Sequence, residues 1–264
     1  MVDFPGESGS VAYGVNGEGE IVGGFFNAAL IEHAFSLKGT KFTAFGYPGA
    51  VWSEAEAVND SGVIVGIFGT TPCCENVQSF ELNGQTYTAI TYPGATDTYA
   101  WGINKQGDIA GEWDVENNGE FTETGFLLSK GVFTVIAVPG AADTIAYAVN
   151  TAGDMVGTYL DSDANRHGFM LHDGTYTTID YPGGFSENAL TGINDKRVIS
   201  GAYGAGVAYQ HGFIYQNGQF TSTDVPFGPL IEMDPGQISN TGVVAGQYTE
   251  SSGTAYGYQA TITP

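Results

Sequence analysis

Residues 138–180 read VPGAADTIAYAVNTAGDMVGTYLDSDANRHGFMLHDGTYTTID, and they decide the fold because the chain repeats this pattern six times. The parts are Pro139-Gly140, a small and apolar run ending at Asn150, Gly153 three places on, an apolar pair before Gly157, His167-Gly168-Phe169, and Gly174 ahead of Tyr176-Thr177. Outward from this copy, Pro-Gly recurs at Pro5-Gly6, Pro48-Gly49, Pro93-Gly94 and Pro182-Gly183, with Pro226-Phe227 in the last copy. The asparagine recurs at Asn16, Asn59, Asn104 and Asn194 and gives way to Ser239, while the second glycine returns at Gly23, Gly66, Gly111, Gly201 and Gly246. A period of about 45 residues marks units that cannot bury their apolar faces alone and must pack against one another. The units run over approximately 2–46, 47–91, 92–137, 138–180, 181–224 and 225–264, within one domain.

Within a unit, four short runs rich in β-branched, aromatic and small residues alternate with turn signals. Asn-x-x-Gly is hairpin chemistry, because Asn and Gly tolerate the positive φ that tight turns demand. Four antiparallel strands in about 45 residues is the content of one propeller blade. The predicted architecture is therefore an all-β, six-bladed β-propeller of four-stranded blades, with an open β-solenoid as the alternative. The opening MVDFPG matches the end of a fourth strand such as TSTDVPF. The N-terminal residues are thus expected to complete the last blade and close the ring, leaving no open edge.

With His33-Ala34-Phe35 placed inside a repeat of this length, the chain resembles the bacterial extracellular repeat family named after its His-Ala-Phe motif. Gln78, Thr124 and Tyr256 stand where the motif has histidine. The resemblance implies repeated β structure and export from a bacterial cell, and it carries no agreed activity.

Seven Lys and Arg stand against 29 Asp and Glu, a formal charge of -22, which repels nucleic acid and anionic membrane surfaces. Cations, neutral glycans and basic proteins remain as partners. No apolar run reaches the 18 or so residues of a membrane-spanning helix, so no membrane insertion is expected, and the start lacks signal-peptide features. Because the chain begins inside a repeat, a trimmed leader and a secreted monomer are expected.

Seven residues before each asparagine, or before Ser239, stand Gly9, Trp52, Asp97, Asp143, Glu187 and Glu232, equivalent points where each first strand enters the disc. Trp52 and the four carboxylates form the candidate ligand site, since like charges held close together attract a cation or raise one another's pKa. Asp97, Asp143 and Glu187 would serve as acid and base if the protein were an enzyme. Calcium is the candidate cofactor: Asp161, Asp163 and Asn165, and Asp114, Glu116 and Asn118, resemble the front of a calcium loop, with ordinary Asx turns as the alternative. Adjacent Cys73 and Cys74 allow a vicinal disulfide. His33, His167 and His211 read as structural hydrogen bonds between strands, and Trp101, Trp113, Tyr99 and Tyr147 as sugar-stacking surface or core. No nucleophile elbow, zinc-protease, P-loop or dinucleotide motif is present. The expected function is a secreted binding module taking a glycan, cation or protein on its loop-rich face. The alternatives are a carbohydrate-active hydrolase or lyase and a purely structural repeat.

Overall fold

The computed structural model describes residues 2–7, 9–72, 76–117, 120–205, 211–223, 230–250 and 255–262, with backbone alone at 117, 120, 230–234 and 250. It is all-β. The first three units supply β1 to β4 (Ser10–Val15, Ile21–Phe26, Glu32–Lys38, Lys41–Phe45), β5 to β8 (Trp52–Val58, Ile64–Gly69, Gln78–Asn83, Thr86–Ile90) and β9 to β12 (Asp97–Ile103, Ile109–Asn117, Glu120–Ser129, Val132–Ile136). The other three supply β13 to β16 (Asp143–Val149, Met155–Leu160, Arg166–His172, Thr175–Thr178), β17 to β20 (Glu187–Ile193, Ile199–Gly204, His211–Gln216, Gln219–Ser222) and β21 to β23 (Leu230–Ile238, Val243–Glu250, Ala255–Thr261). Each set is an antiparallel meander, the four-stranded blade expected from the repeat except in the last, which has three strands among the described residues. Single parallel pairings, Ser10 with Tyr256 and Arg166 with Glu187, join neighbouring meanders, so the sheets hold four to eight strands and do not run on into one closed sheet. Val2 pairs with Gly257 beside β23, at the place of a fourth strand.

The repeated residues explain the blade. Pro48-Gly49 sits in a turn closed by Ala50 N–H donating to Tyr47 O at 3.0 Å, with Gly49 at φ 85°, the type II arrangement that wants Pro then Gly. The turn delivers Tyr47 onto Phe68 of the second strand, and the same stack recurs for Phe4 on Phe25, Tyr92 on Trp113 and Tyr181 on Tyr203, at 3.8–4.4 Å between ring centres. A buried hydroxyl or amide six residues before the asparagine, as in Ser53 and Thr98, accepts the N–H of that aromatic residue. The motif phenylalanine lies opposite the second glycine: Phe126 faces Gly111, where an added Cβ would stand 2.5 Å from the ring and 2.1 Å from Tyr99 O. Only glycine lets the ring lie flat on the strand, and these rings are wholly buried at Phe35, Phe80, Phe126, Phe169 and Phe213. Burial of each stabilises the fold by roughly 2–3 kcal/mol.

The core lies between meanders. Val22 and Ala34 pack with Phe68 and Phe80, Ala148 and Val156 with Leu190 and Phe213, and Ala245 of the last unit with Val15 and Phe35 of the first. First strands touch one another so closely that a Cβ on Gly14 would meet Ala57, one on Gly102 would meet Tyr147 O, and one on Gly236 would meet Tyr13 O.

Candidate functional site

Every first strand carries a register shift near its end, and the bulged residue is the one three before the asparagine: Tyr13, Glu56, Trp101, Tyr147 and Thr191, with Gly236 and Gln237 in the last unit. A bulge re-aims a side chain off the sheet. Small neighbours, such as Ala100 and Gly102 around Trp101, leave Tyr13, Glu56, Trp101 and Tyr147 as the large bulged groups of the inner wall. Together with Ala189 they line one cavity of about 210 Å³, to which all six units contribute.

Its chemistry is mixed. Trp101 stacks on Tyr99 with ring centres 5.3 Å apart and lies 6.0 Å from Tyr147. Gln237 Nε2 reaches across and donates to Trp101 O at 3.3 Å and Tyr147 O at 3.2 Å, tying the sixth unit to the third and fourth. Glu56 is buried in the wall. Beside it, Glu54 shares hydrogen bonds with Glu32, Tyr13 and Glu56, and burial lifts its pKa above the ordinary carboxylate value. Carboxyl groups hydrogen-bond to one another only where one keeps its proton, which is what burial of like charges enforces. In the next unit, Trp101 Nε1 donates to Glu112 Oε1 at 3.2 Å, and burial, then the charges of Glu123 and Asp114, push Glu112 well above its usual range.

The far end of the inner wall is uniform. Asn16, Asn59, Asn104, Asn150 and Asn194 each donate Nδ2 to the backbone carbonyl of the equivalent residue in the next unit, at 3.0–3.4 Å, the last link ending on Ser239 O. Each Oδ1 accepts two N–H groups of its own turn, as from Gln106 and Asp108 to Asn104. The asparagines are thus hydrogen-bonding girdle and turn cap at once.

Trp52, Asp97, Asp143 and Glu187 open β5, β9, β13 and β17, at equivalent points as expected. Two of them act as staples between units: Asp97 Oδ1 accepts the N–H of Val77, and Asp143 Oδ1 that of Glu123 at 3.1 Å. Trp52 covers Gly69, and Glu187 lies opposite Arg166, whose charge offsets part of the upward push of burial on its carboxyl. Glu232 lies on β21 opposite Thr249, and its side chain falls outside the described residues, as do Cys73, Cys74 and Asn118. What gathers around Asp97 and Asp143 is a wider acidic seam between the third and fourth units, adding Glu112, Asp114 and Glu123, with Arg166 Nη2 3.5 Å from Glu123. Burial, then Glu123, Asp97 and Asp143, raise Asp114 to about 7. Glu112 Oε2 and Asp114 Oδ1 have no hydrogen-bond partner among the described residues.

The stretch around Asp114 and Glu116, expected as the front of a calcium loop, is a correction: β10 runs to Asn117 and β11 starts at Glu120, pairing Asp114 with Glu123 and Glu116 with Phe121. Extended strands project alternate residues along a line, so Asp114 and Glu116 do not wrap a point as a calcium loop does. Asp161 spends Oδ1 on the N–H groups of Asp163 and Asn165 at 2.8 and 2.9 Å and Oδ2 on His167 at 3.1 Å, an Asx turn. These bonds hold its pKa well below the usual carboxylate range. Among the described residues no three His, Cys, Asp or Glu side chains are placed to hold a metal ion. His167 bridges Asp161 and Asp180, His33 bonds Asn27, and His211 stacks on Tyr203.

The bulge ring escaped the sequence pattern because the count back from the asparagine stopped at the strand entrance. Its signal was present: one large or polar residue of changing identity between small neighbours, three before each asparagine.

No protein-family model matches the chain, and no curated protein matches its sequence. Solved structures do resemble it. A lectin of Aleuria aurantia in complex with Fucα1-6GlcNAc matches with TM-score 0.57 at 12% identity, over 98% of this chain and 93% of that one. TolB of Acinetobacter baumannii matches with TM-score 0.59 at 14% identity, over 94% and 68%. The β-propeller domain of the Trilobed protease of Pyrococcus furiosus, described as having an open velcro topology, matches with TM-score 0.51 at 11% identity, over 96% and 83%. At these identities the likeness shows the fold, and the fold is a β-propeller.

Proposed function

We propose that the six meanders close as a six-bladed ring, Val2 completing the last blade, and that the protein is a binding module whose ligand enters the cavity at the ring's axis. The pairing of Val2 with Gly257 and the approach of Gly236 to Tyr13 support closure. One observation carries the binding role: six bulges bring five kinds of residue to a single cavity, where a purely structural repeat would have no use for the variety. Aromatic faces beside hydrogen-bonding groups suit a sugar ring, which presents C–H faces and hydroxyls. About 210 Å³ is room for one monosaccharide-sized group rather than an extended chain. The Aleuria aurantia protein, a lectin solved with a fucosylated sugar, makes a glycan end the first ligand to try. Saturation-transfer NMR over a panel of monosaccharides tests this. Transfer to at least one sugar, lost in Trp101→Ala, supports the site; equal transfer in both proteins sinks it.

A further inference from the structure

The turn that opens a unit delivers one ring onto the second strand, and in the fourth unit that ring is missing. Among the described residues four such turns carry Phe4, Tyr47, Tyr92 and Tyr181, each stacked at 3.8–4.4 Å on a ring of its own second strand. The fourth unit has Val138 in this place. Its backbone is the same as in the others. Ala141 N–H donates to Val138 O at 3.1 Å, Gly140 sits at φ 84°, and Val138 N–H donates to Thr144 Oγ1 at 3.1 Å, as Tyr47 N–H does to Ser53 Oγ. The turn therefore aims position 138 where a ring would stack, and a valine has neither the reach nor the flat face to fill that place.

The ring that would receive the stack is present. Tyr159 is half-buried, and its hydroxyl shares a hydrogen bond with Thr178 Oγ1 at 2.9 Å. Among the described residues its one stacked neighbour is His167, 5.1 Å away between ring centres. Phe25 and Tyr203 have the same histidine neighbour, His33 and His211, and carry the ring from the turn as well. Beside Tyr159 opens a cleft of about 540 Å³, lined also by Val138, Pro139, Tyr176 and Thr178. The large apolar side chains that stand exposed among the described residues, Leu30, Phe121, Val132 and Val135, all lie outside it. A docked protein would need such an apolar border, and a small molecule would not.

Independently of the axial cavity, we infer that this cleft binds a small molecule carrying one aromatic ring, which lies on Tyr159 in the place that a ring from the turn takes in four other units. The probe is p-cresol, the tyrosine side chain as a free molecule, titrated by NMR beside its saturated counterpart 4-methylcyclohexanol and methyl glucoside. p-Cresol should bind about fivefold more tightly than either. Val138→Tyr supplies the missing ring from within the chain, so it should abolish p-cresol binding and raise the melting temperature by about 2–4 °C. Tyr159→Leu keeps bulk without a ring and should bring p-cresol down to the level of 4-methylcyclohexanol. Equal binding of p-cresol and 4-methylcyclohexanol to the unaltered protein, or tighter binding of methyl glucoside, would overturn the aromatic ligand. A lower melting temperature in Val138→Tyr would show that the place does not admit a ring. p-Cresol binding that survives Val138→Tyr and is lost in Trp101→Ala would put the ring in the axial cavity. Either of these results overturns the inference and leaves the axial site to its own test.

Discussion

The two ends of the inner wall are built from the same six strands by opposite rules. At one end the same side chain recurs in five of six units and each copy holds the next. Three residues earlier, at the bulge, Tyr, Glu, Trp, Tyr, Thr and Gly follow one another and meet around open space. Positions that hold neighbours in register are constrained by the link each one makes, whereas positions aimed into a cavity can differ from unit to unit at little cost. In a repeat protein, then, the informative residues for function are the ones that the repeat fails to repeat.

The largest expected effect breaks the uniform end. Asn104→Ala removes the donor to Asn150 O and the acceptor for two turn N–H groups, all buried or half-buried. Unmaking three such bonds should cost about 3–5 kcal/mol in denaturant unfolding while leaving ligand affinity in place. Trp101→Ala should do the reverse, weakening ligand binding by about 2 kcal/mol, or some thirtyfold, for about 1 kcal/mol of stability, read by titration and thermal melting of one sample. A third test addresses the acidic seam beside the varied end. Asp114 binds its proton more tightly folded, at about 7, than unfolded, near 3.8. The resulting stability is complete below the unfolded value and is lost as pH rises to about 7, so melting temperature should fall between about pH 4 and pH 7 and level off above it. Asp114→Asn should flatten that fall and, at pH 8, add about 1–2 kcal/mol, discounted for the solvent that reaches the cluster. The smallest effect sharpens the girdle: Ser239→Asn supplies the missing amide to the first unit and should add about 1 kcal/mol, or 2–4 °C of melting temperature.

Much of the fold was legible because its marks are local. Pro-Gly, Asn-x-x-Gly and the glycine beneath the motif phenylalanine each have a steric reason that shows in the residues themselves, and the strand count followed from their spacing. The site was legible only in part. Asp97 and Asp143 fell at equivalent points, but their use as staples depends on which N–H the neighbouring unit presents, and a pattern within one unit does not contain that. The stretch around Asp114 and Glu116 reads as polar loop, yet the pairing of Asp114 with Glu123 and of Glu116 with Phe121 outweighs its composition. Trp101 was noticed without a place, since a bulge changes direction by one residue and leaves little trace in alternation.

The amides of the girdle all point the same way round, from Asn16 forward, and the circuit has a beginning and an end. Ser239 has no amide to pass on, and its hydroxyl turns to Thr241 at 3.0 Å. The gap falls at the seam where the first and last units meet, and there the pairings of Val2 with Gly257 and of Ser10 with Tyr256 stand in for the missing link. Local opening should start at the isolated pairing of Val2, with its amide proton exchanging ahead of those of the longer ladders within the meanders.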